Sequence, residues 1–354
     1  MNLSDLRKEI DLIDEQILKL LNRRAELAKK IGEAKTRHRS QYFTPEREHQ
    51  VFAKIVKQNS GPLTSTNIRA IYTEIISSCR ALEKPISVAF LGPEGTFSHQ
   101  AVLTKFGSAS NCLPVDTISD VFKRVERNET DYGMVPMENS LAGAITETLD
   151  NFMRSNMRIV SEVFIPVVHN LVTRCVSLDQ IKRVYSHPQP ISQCRQWLRN
   201  HLQSAEILEV SSTARAAEIA AAEEGSAAIA TRLAAERNQL PLLCTHIEDD
   251  PSNRTRFLVL GYNQPEPSGK DKTSIMFSVP NRAGELFRAM AAFEKYNVNL
   301  TMIESRPARV SAWDYVFYLD VQGHIQDENV AKAVSELKEA ALFVTVLGSY
   351  PAGE

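Results

Sequence analysis

The sequence has few cysteines and little net charge, and each shortage excludes a class of protein. Its five cysteines are an odd number with no CxxC pair, so we expect free thiols in a reducing cytoplasm, without disulfides or a zinc site. A net charge of −2 gives no broad field for nucleic acid or an anionic membrane. Any anion site must therefore be built from locally placed cations.

Long apolar runs and nucleotide-binding motifs are absent as well. No window approaches the roughly 18 apolar residues of a membrane span, and the polar start MNLSDLRKEI predicts no signal peptide. The glycine-rich segment GPEGTFSHQA lacks the Lys-Ser/Thr of a P-loop and the spacing of a dinucleotide fingerprint. We expect no cofactor, no metal, no nucleic acid partner and no membrane association.

Three regions of different pattern divide the 354 residues, and they predict a multidomain protein. Residues 1–84 have helical periodicity only, with three helices: one ending near residues 36–40, one over 45–58 and one over 66–83. Residues 85–262 alternate short β runs with helices, which is typical of an α/β domain. After a polar linker at 263–271, residues 270–354 follow the βαββαβ order of an α+β ferredoxin-like domain.

Two details of this pattern make local predictions. A helix is expected to begin at Leu141, after the β run YGMVP, and the run from Arg158 to Arg174 reads as two strands that could pass between two lobes. The long first helix cannot fold back on itself, and a lone three-helix piece would leave its apolar stripe exposed. We therefore expect a partner chain.

Cations interrupt the apolar stripe of the first helix. On a helical wheel Arg24 and Lys35 lie near the centre of the stripe, about 20° apart, and Arg7 lies at its edge. Buried cations are costly unless an anion meets them. The wheel alone leaves a structural alternative open, in which the side chains snorkel to water or pair with acids of the other helices.

The second helix opens with PEREHQ and the third ends with SSCRALE, and with these motifs residues 1–84 resemble the all-helical chorismate mutases that are fused to prephenate dehydratase. The resemblance implies an intertwined homodimer or higher oligomer in which Arg7 reaches the partner's site. It marks a chorismate site made of Arg7, Arg24, Lys35, Arg47, Glu48 and Glu83. In such a site Lys35 and Glu83 would be catalytic and face the ether oxygen, and Glu48 would hold the ring hydroxyl. Some relatives carry Gln at the position of Glu83, so Glu83 must be protonated to donate, and mutase activity is expected to fall at alkaline pH.

Four loops of the α/β region carry the next signal: residues 92–101, 136–140, 186–194 and 253–257. Each alone could be a plain turn, a helix cap by Asn139 or Ser140, or a pair of surface arginines. Together and in this order they resemble prephenate dehydratase, whose fold is two α/β lobes with the active site in the cleft. The resemblance marks Thr255 as the main catalytic residue, donating to the departing hydroxyl. It implies a prephenate site with Thr96, Glu138, Asn139, Ser186, Gln193, Thr255 and Arg256. A relay from Thr255 to Glu138 or water is a hypothesis, and either Arg254 or Arg256 could hold a carboxylate.

The C-terminal motifs NRAGEL and IESRP resemble those of an ACT domain. The resemblance implies a phenylalanine site made of Gly284, Leu286, Glu304, Ser305 and Arg306, so phenylalanine is the expected effector. Glu285 departs from the family pattern, and its carboxylate could repel that of the amino acid. A purely structural dimerisation module is the alternative.

The expected function is a bifunctional enzyme that rearranges chorismate to prephenate and then dehydrates and decarboxylates prephenate to phenylpyruvate. Two other functions stay open: a non-catalytic amino-acid sensor, and a dehydratase whose N-terminal helices only dimerise. Thr255 and the cations of the first helix argue against the sensor. The match of Arg7, Arg24, Lys35, Arg47 and Glu48 to the mutase pattern argues against helices that only dimerise. The motifs do not separate prephenate from arogenate as the substrate.

Overall fold

The computed structural model describes residues 2–38, 43–307 and 315–353, with the backbone alone at 36–38. The chain divides into two compact units. The helical unit comprises residues 1–87 and 103–111, and the sheet unit comprises residues 88–102 and 112–354. None of the described helices is both long and apolar enough to cross a membrane.

The helical unit contains the three expected helices, α1 (Leu3–His38), α2 (Pro45–Gln58) and α3 (Ser65–Ala81). Pro45 occupies the first turn of α2, where a missing N–H costs no hydrogen bond. Thr64 caps α3 by accepting a hydrogen bond from the backbone N–H of Asn67 at 3.2 Å. Residues 39 and 40, where α1 was expected to fray, lie outside the described residues.

The apolar stripe of α1 is largely exposed. Seven of its large side chains are 45–66% exposed: Leu6, Ile10, Ile13, Ile17, Leu20, Leu27 and Ile31. Contiguous apolar surface of this kind marks an interaction face. The helical unit on its own therefore leaves the stripe without a covering layer.

The sheet unit alternates strands and helices along the chain. In order these are β1 (Ser87–Leu91), α4 (Phe97–Phe106), β2 (Asn111–Val115), α5 (Ile118–Glu126), β3 (Tyr132–Asn139), β4 (Gly143–Ala144), α6 (Thr146–Phe152), β5 (Arg158–Pro166), β6 (Asn170–Thr173), β7 (Arg183–Ser186), α7 (Pro188–Gln193), α8 (Arg195–His201), β8 (Glu206–Glu209), α9 (Thr213–Ala222), β9 (Ser226–Ala230), α10 (Arg232–Arg237), β10 (Leu242–Cys244), β11 (Arg254–Gly261), β12 (Asp271–Ser278), α11 (Glu285–Lys295), β13 (Leu300–Pro307), β14 (Tyr315–Gln322), α12 (Glu328–Ala340) and β15 (Phe343–Pro351).

Two lobes follow from the strand order. The first sheet has the order β2-β1-β3-β11-β5 with β4 paired to β3, and the second has the order β10-β6-β9-β7-β8. The strands β5 and β6 lie in different sheets, so the chain passes between the lobes there, as the sequence predicts. It returns at β11, which pairs antiparallel with both β3 and β5.

The helix expected at Leu141 is not there, and that prediction is wrong. β3 continues to Asn139 and turns back, so that Glu138 and Asn139 pair with Ala144 and Gly143 of β4. Residues committed to this hairpin cannot enter a helix, and α6 begins only at Thr146.

The third sheet, β13-β14-β12-β15, has the expected βαββαβ connection. Trp313, expected in the third strand, lies outside the described residues. One face of the sheet packs on α11 and α12. Its other face shares a core with the first sheet, in which Met276, Tyr318 and Tyr350 lie among residues such as Leu149 and Ile159. The first and third sheets are therefore joined by one continuous hydrophobic layer.

Candidate active sites

A hydrogen-bonded pair at one end of the first sheet brings together two of the predicted loops. Thr255 of β11 lies opposite Asn139 of β3, and the Asn139 Nδ2 donates to the Thr255 Oγ1 at 2.9 Å. Asn139 is held in turn, because its Oδ1 accepts from the backbone N–H groups of Leu141 and Ala142 at 3.1 and 3.0 Å. A hydroxyl that accepts from an amide keeps its own hydrogen free to donate.

A second amide, which the sequence analysis did not single out, completes this cluster. Asn253 is 1% exposed, and its Oδ1 accepts from the Asn139 Nδ2 at 2.8 Å and from the Ser140 Oγ at 3.3 Å. Ser140 also accepts from the backbone N–H of Arg254 at 3.0 Å. The loops at 136–140 and 253–257 thus form one rigid cluster around Thr255.

The glycine-rich loop is held by hydrogen bonds of its own residues and by one from Thr231. Gly95 has a φ of +89°, a conformation that favours glycine, and its carbonyl accepts from the Thr231 Oγ1 at 2.6 Å. The Thr96 hydroxyl donates to the carbonyl of Pro93 at 3.0 Å and accepts from the backbone N–H of His99 at 3.4 Å. Thr96 therefore shapes the loop and caps α4.

The loop at 186–194 supplies one side chain with free donors. Gln193 Oε1 lies 2.8 Å from His169 Nε2. Burial lowers the pKa of His169, although Gln193 and Glu248 act the other way, so the neutral ring donates through Nε2. The amide N–H groups of Gln193 are then left for another acceptor. Ser186 is fully buried, and its hydroxyl donates to the carbonyl of Ile229 at 2.8 Å, which is a structural contact.

His169, missed by the sequence analysis, connects these loops. It lies on the segment between β5 and β6 and makes an edge contact with Phe97, at 5.7 Å between ring centroids. On the same segment the backbone N–H of Val167 donates to the carbonyl of Asn253 at 2.9 Å. The segment therefore joins the Thr255 cluster to Gln193 and to the start of α4.

Glu138 and Arg256 lie on the opposite face of the strands from Thr255, because successive side chains alternate across a sheet. The two pair with each other, with Arg256 Nη1 at 3.2 Å from Glu138 Oε1. The Arg256 side chain is 2% exposed and its donors are engaged. The structure thus places Arg256 away from a carboxylate near Thr255 and gives no contact for a relay from Thr255 to Glu138. Arg254 is exposed at the start of β11.

In the helical unit, three of the predicted residues lie along the contact of α1 with α3 and the residues that follow α3. Lys35 Nζ lies 3.3 Å from Glu83 Oε2, and Arg24 Nη1 lies 3.5 Å from the carbonyl of Ile75. A methyl group at Gly32 would lie 2.8 Å from the Glu83 Cβ, so glycine is needed for this close approach. Lys35 and Glu83 thus form a contact pair, and the expected loss of mutase activity at alkaline pH stays a prediction.

Glu48 is held by an arginine that the sequence analysis missed. Arg80 pairs with Glu48, donates to the carbonyl of Phe106 at 2.8 Å, and lies within 6 Å of the Phe43 and Phe106 rings. Burial raises the pKa of Glu48 even though Arg80 opposes the shift. Arg7 and Arg47 are exposed.

The predicted effector residues divide between the two faces of the third sheet. Gly284, with a φ of +84°, precedes α11, and Leu286 packs in the core under that helix. Arg306 of β13 instead pairs with Asp150, with 3.1 Å between Nη2 and Oδ1, and alternation puts Glu304 on the same face and Ser305 on the other. Glu285 pairs with Arg288 at 2.7 Å, and this hydrogen bond lowers the pKa of Glu285.

Three family models match the chain in the expected order: "Chorismate mutase type II" at residues 6–84, "Prephenate dehydratase" at 88–265 and "ACT domain" at 273–339. The bifunctional chorismate mutase/prephenate dehydratase of Aquifex aeolicus is 47% identical over 353 residues, covering 99% of this chain and 98% of that protein. The protein of the same name from Pseudomonas aeruginosa is 41% identical, covering 99% and 97%.

The chain belongs to the bifunctional chorismate mutase/prephenate dehydratase family. It is an enzyme with a mutase domain, a dehydratase domain and an ACT domain, in the folds that the sequence predicts. A crystal structure of a prephenate dehydratase from Arthrobacter aurescens in complex with L-Phe is 34% identical with a TM-score of 0.70, covering 75% of this chain and 90% of that one.

Proposed function

We propose that the mutase domain rearranges chorismate to prephenate and that the dehydratase domain converts prephenate to phenylpyruvate, carbon dioxide and water. The hydrogen bond from Asn139 to Thr255 carries the dehydratase part, because it leaves the threonine proton for the substrate. The five cysteines are free, and a reducing cytoplasm would keep them so.

Thr255 donates to the ring hydroxyl of prephenate as that group leaves. The bond between the ring and its carboxylate breaks, its electron pair enters the ring, and the hydroxyl departs with a proton as water. A threonine hydroxyl is a weak acid, so its main work is to stabilise charge on the departing oxygen, and the proton is replaced from solvent. Gln193, oriented by neutral His169, offers its amide N–H groups to the substrate. Thr96 and Ser186 shape the loops that surround it.

Replacement of Thr255 by Ala tests this assignment with prephenate as the substrate. Loss of one preorganised donor should lower kcat about 100- to 1000-fold, whereas Thr255→Ser, which keeps the hydroxyl, should retain most activity. Mutase activity, measured on the same preparations, serves as the folding control. Phenylpyruvate formation at the normal rate by Thr255→Ala would overturn the assignment.

The mutase reaction needs no nucleophile and no metal, because one C–O bond breaks and one C–C bond forms within chorismate. The domain has to hold a dicarboxylate in its compact shape and stabilise charge on the ether oxygen. Arg24 and Arg47 suit the carboxylates, Lys35 and Glu83 the ether oxygen, and Glu48, fixed by Arg80, the ring hydroxyl. An acceleration of order 10⁶ corresponds to about 8 kcal/mol, within reach of positioning and electrostatics.

Arg7 completes the mutase site from a second chain in this proposal. It lies 17 positions before Arg24 on α1, about 26 Å at 1.5 Å per residue, so it cannot reach the site of its own chain. The exposed apolar stripe of α1 supplies the face along which two chains pair. The proposed active form is an intertwined homodimer or a larger assembly of such dimers.

A mixing experiment separates a shared site from an unshared one. Arg7→Ala and Lys35→Ala chains, each inactive as a mutase, are unfolded together and refolded. If sites are shared, half of the dimers are mixed and each has one intact site, so about a quarter of wild-type activity returns. Each variant refolded alone is the control, and no recovery in the mixture would refute sharing.

Phenylalanine is the proposed effector of the ACT domain. The start of α11, with Gly284 and Leu286, suits a small amino acid, and the pairing of Glu285 with Arg288 counters the repulsion expected from that carboxylate. Ser305 lies toward the same side of the sheet. Arg306 and Glu304 would act from the dehydratase side, where Arg306 holds Asp150.

A phenylalanine titration of the dehydratase rate tests the effector. The dehydratase rate should fall as phenylalanine is raised to millimolar concentration. Arg288→Gln, which frees the Glu285 carboxylate, should weaken this inhibition. Lys332→Gln on α12, which also removes a cation paired with a glutamate of its own helix, is the matched control. A rate that does not respond to phenylalanine would contradict regulation.

A further inference from the structure

The residue after Thr255 is one of the most buried large side chains of the chain, and the proposed chemistry does not use it. Arg256 donates from Nε to the Glu162 Oε2 at 2.7 Å, from Nη1 to the Asp320 Oδ2 at 2.6 Å and from Nη2 to the Tyr350 Oη at 3.0 Å. With Glu138 at 3.2 Å it forms what we call the arginine cluster: Arg256, Glu138, Glu162, Asp320 and Tyr350.

The arginine cluster is made jointly by two domains. Glu138 and Glu162 lie in the residues matched as prephenate dehydratase, whereas Asp320 lies in the residues matched as an ACT domain and Tyr350 lies on β15 of the same third sheet. All four strands of the third sheet reach the cluster: Lys272 and Ser274 on β12, Met302 on β13, Asp320 on β14 and Tyr350 on β15. The third sheet therefore supplies two of the four partners of the arginine that follows Thr255.

Charge makes this arrangement demanding. Arg256 and Lys272 face the carboxylates of Glu162 and Asp320, and all four side chains are at most 13% exposed. Removing one partner of such a set leaves a buried charge uncompensated, which is costly, so the remaining groups would move. Asp320 is itself fixed, because its Oδ1 accepts from the Ser274 Oγ at 2.5 Å.

Movement of Arg256 would shift its neighbour Thr255 and the paired Asn139. On β11 and β3, Thr255 lies opposite Asn139, and in the next pair Arg256 lies opposite Glu138. Successive side chains alternate across a sheet, so Thr255 and Asn139 lie on one face and the Arg256–Glu138 ion pair lies on the other. The register of these strands shifts between Arg256 and Phe257, a bulge-type irregularity of the kind that re-aims side chains near active sites. The contacts that hold Arg256 in place therefore also fix the backbone that orients Thr255.

We propose that Arg256 is a positioning residue for Thr255 and Asn139, and that Asp320 and Tyr350 of the ACT domain hold it in the active orientation. The ACT domain thereby supplies part of the framework of the dehydratase site, beyond any effector that it binds. The inference rests on the proposed role of Thr255.

Asp320→Asn is the sharpest test, since it removes the negative charge that Asp320 presents to Arg256 and keeps the size of the side chain. The full-length variant should show a dehydratase kcat lowered about 10- to 100-fold, as expected for a small displacement of reacting groups, with KM for prephenate nearly unchanged. Tyr350→Phe, which removes the hydrogen bonds to Arg256 and Ser274 but no carboxylate, should lower kcat less. Glu336→Gln, an ACT acid paired with Lys295 on the protein surface, is the matched control and should keep wild-type kcat.

The readouts distinguish positioning from stability. Mutase activity and the melting temperature of each variant are measured beside the dehydratase constants. A lowered melting temperature with wild-type kcat at 25 °C, or a KM that rises while kcat is unchanged, would overturn the positioning role. Absence of dehydratase activity in the wild-type chain would instead overturn the proposed function itself, so the two failures are distinguishable.

Discussion

The ion-paired side chains of the helical unit are more exposed than those of the sheet unit. In the helical unit Lys35 and Glu83 form a partly exposed pair, 23% and 10% exposed, beside an apolar stripe that is about half exposed. In the sheet unit Arg256, Glu162 and Asp320 are at most 2% exposed and lie beneath a continuous core. We interpret the first as half of a shared site that needs a second chain and a substrate, and the second as a framework completed within one chain.

The largest expected effect tests whether the mutase cations serve catalysis or structure. Lys35→Ala should lower mutase kcat about 100- to 1000-fold, since it removes a group aimed at developing charge. Dehydratase activity on prephenate should not change. Lys30→Ala, an exposed lysine on the same helix, is the control and should leave both rates intact. Mutase activity that survives in Lys35→Ala would favour the structural alternative for this cation.

The next effect concerns the contact between the first and third sheets. A methyl group at Gly348 would lie 2.1 Å from the carbonyl oxygen of Ile159, so Gly348→Ala must separate β15 from β5. We expect a loss of about 1–3 kcal/mol in the unfolding free energy, measured by denaturant titration. Gly61→Ala is the control, because a methyl group there would have only the Asn59 Oδ1 nearby, at 3.7 Å. Gly143 is unsuitable as a control because its backbone φ of +80° favours glycine. Equal stability of both variants would refute the close contact.

A smaller effect is expected at the corresponding close approach of the helical unit. Gly32→Ala would press on the Glu83 side chain and shift it from Lys35. Because α1 and α3 can move apart slightly, we expect the change to be modest. The activation free energy of the mutase reaction should rise by about 1–2 kcal/mol, which is a roughly tenfold lower rate. Gly61→Ala again provides the comparison. An unchanged mutase rate would show that Glu83 does not need this position.

The smallest effect is a pH dependence of the arginine cluster. Glu162 is buried, which raises its pKa, but the charges of Arg256 and Lys272 outweigh burial and hold the pKa of Glu162 below its ordinary 4.5. A lowered pKa in the folded protein contributes stability above pH 4.5 that is lost as the pH falls through the folded value. The destabilisation caused by Glu162→Gln should therefore stay nearly constant from about pH 7 down to pH 4.5 and shrink as the pH falls below 4.5. A pH-independent difference between the two proteins would contradict the ion pairing.

Much of the fold could be predicted because local signals agree with it. The three helices, the passage between lobes and the βαββαβ order all follow from periodicity and turn residues. The helix expected at Leu141 failed because its residues join a hairpin with β3, and this pairing is not visible in the local sequence. The order of the helices and strands and the loop motifs could thus be predicted from the sequence, whereas the pairings between strands could not.

The site residues show the same limit. Asn139 and Thr255 were predicted as site residues from their loops, and the structure joins their side chains by a hydrogen bond of 2.9 Å. The expectation for Arg256 depended on which strand face it occupies, and its partners Asp320 and Tyr350 are 64 and 94 positions away. Alternation along a strand is a signal that could have separated Arg256 from Thr255. Distant partners such as these could not have been named from one sequence.

The central claim is that one chain carries out two consecutive reactions at separate sites, with Thr255 essential for the second. A time course of purified Thr255→Ala protein supplied with chorismate tests it most directly, with prephenate and phenylpyruvate measured together. The claim predicts that chorismate is consumed at the wild-type rate and that prephenate accumulates in equal amount. Phenylpyruvate appearing at the wild-type rate, or chorismate left unconsumed, would contradict it.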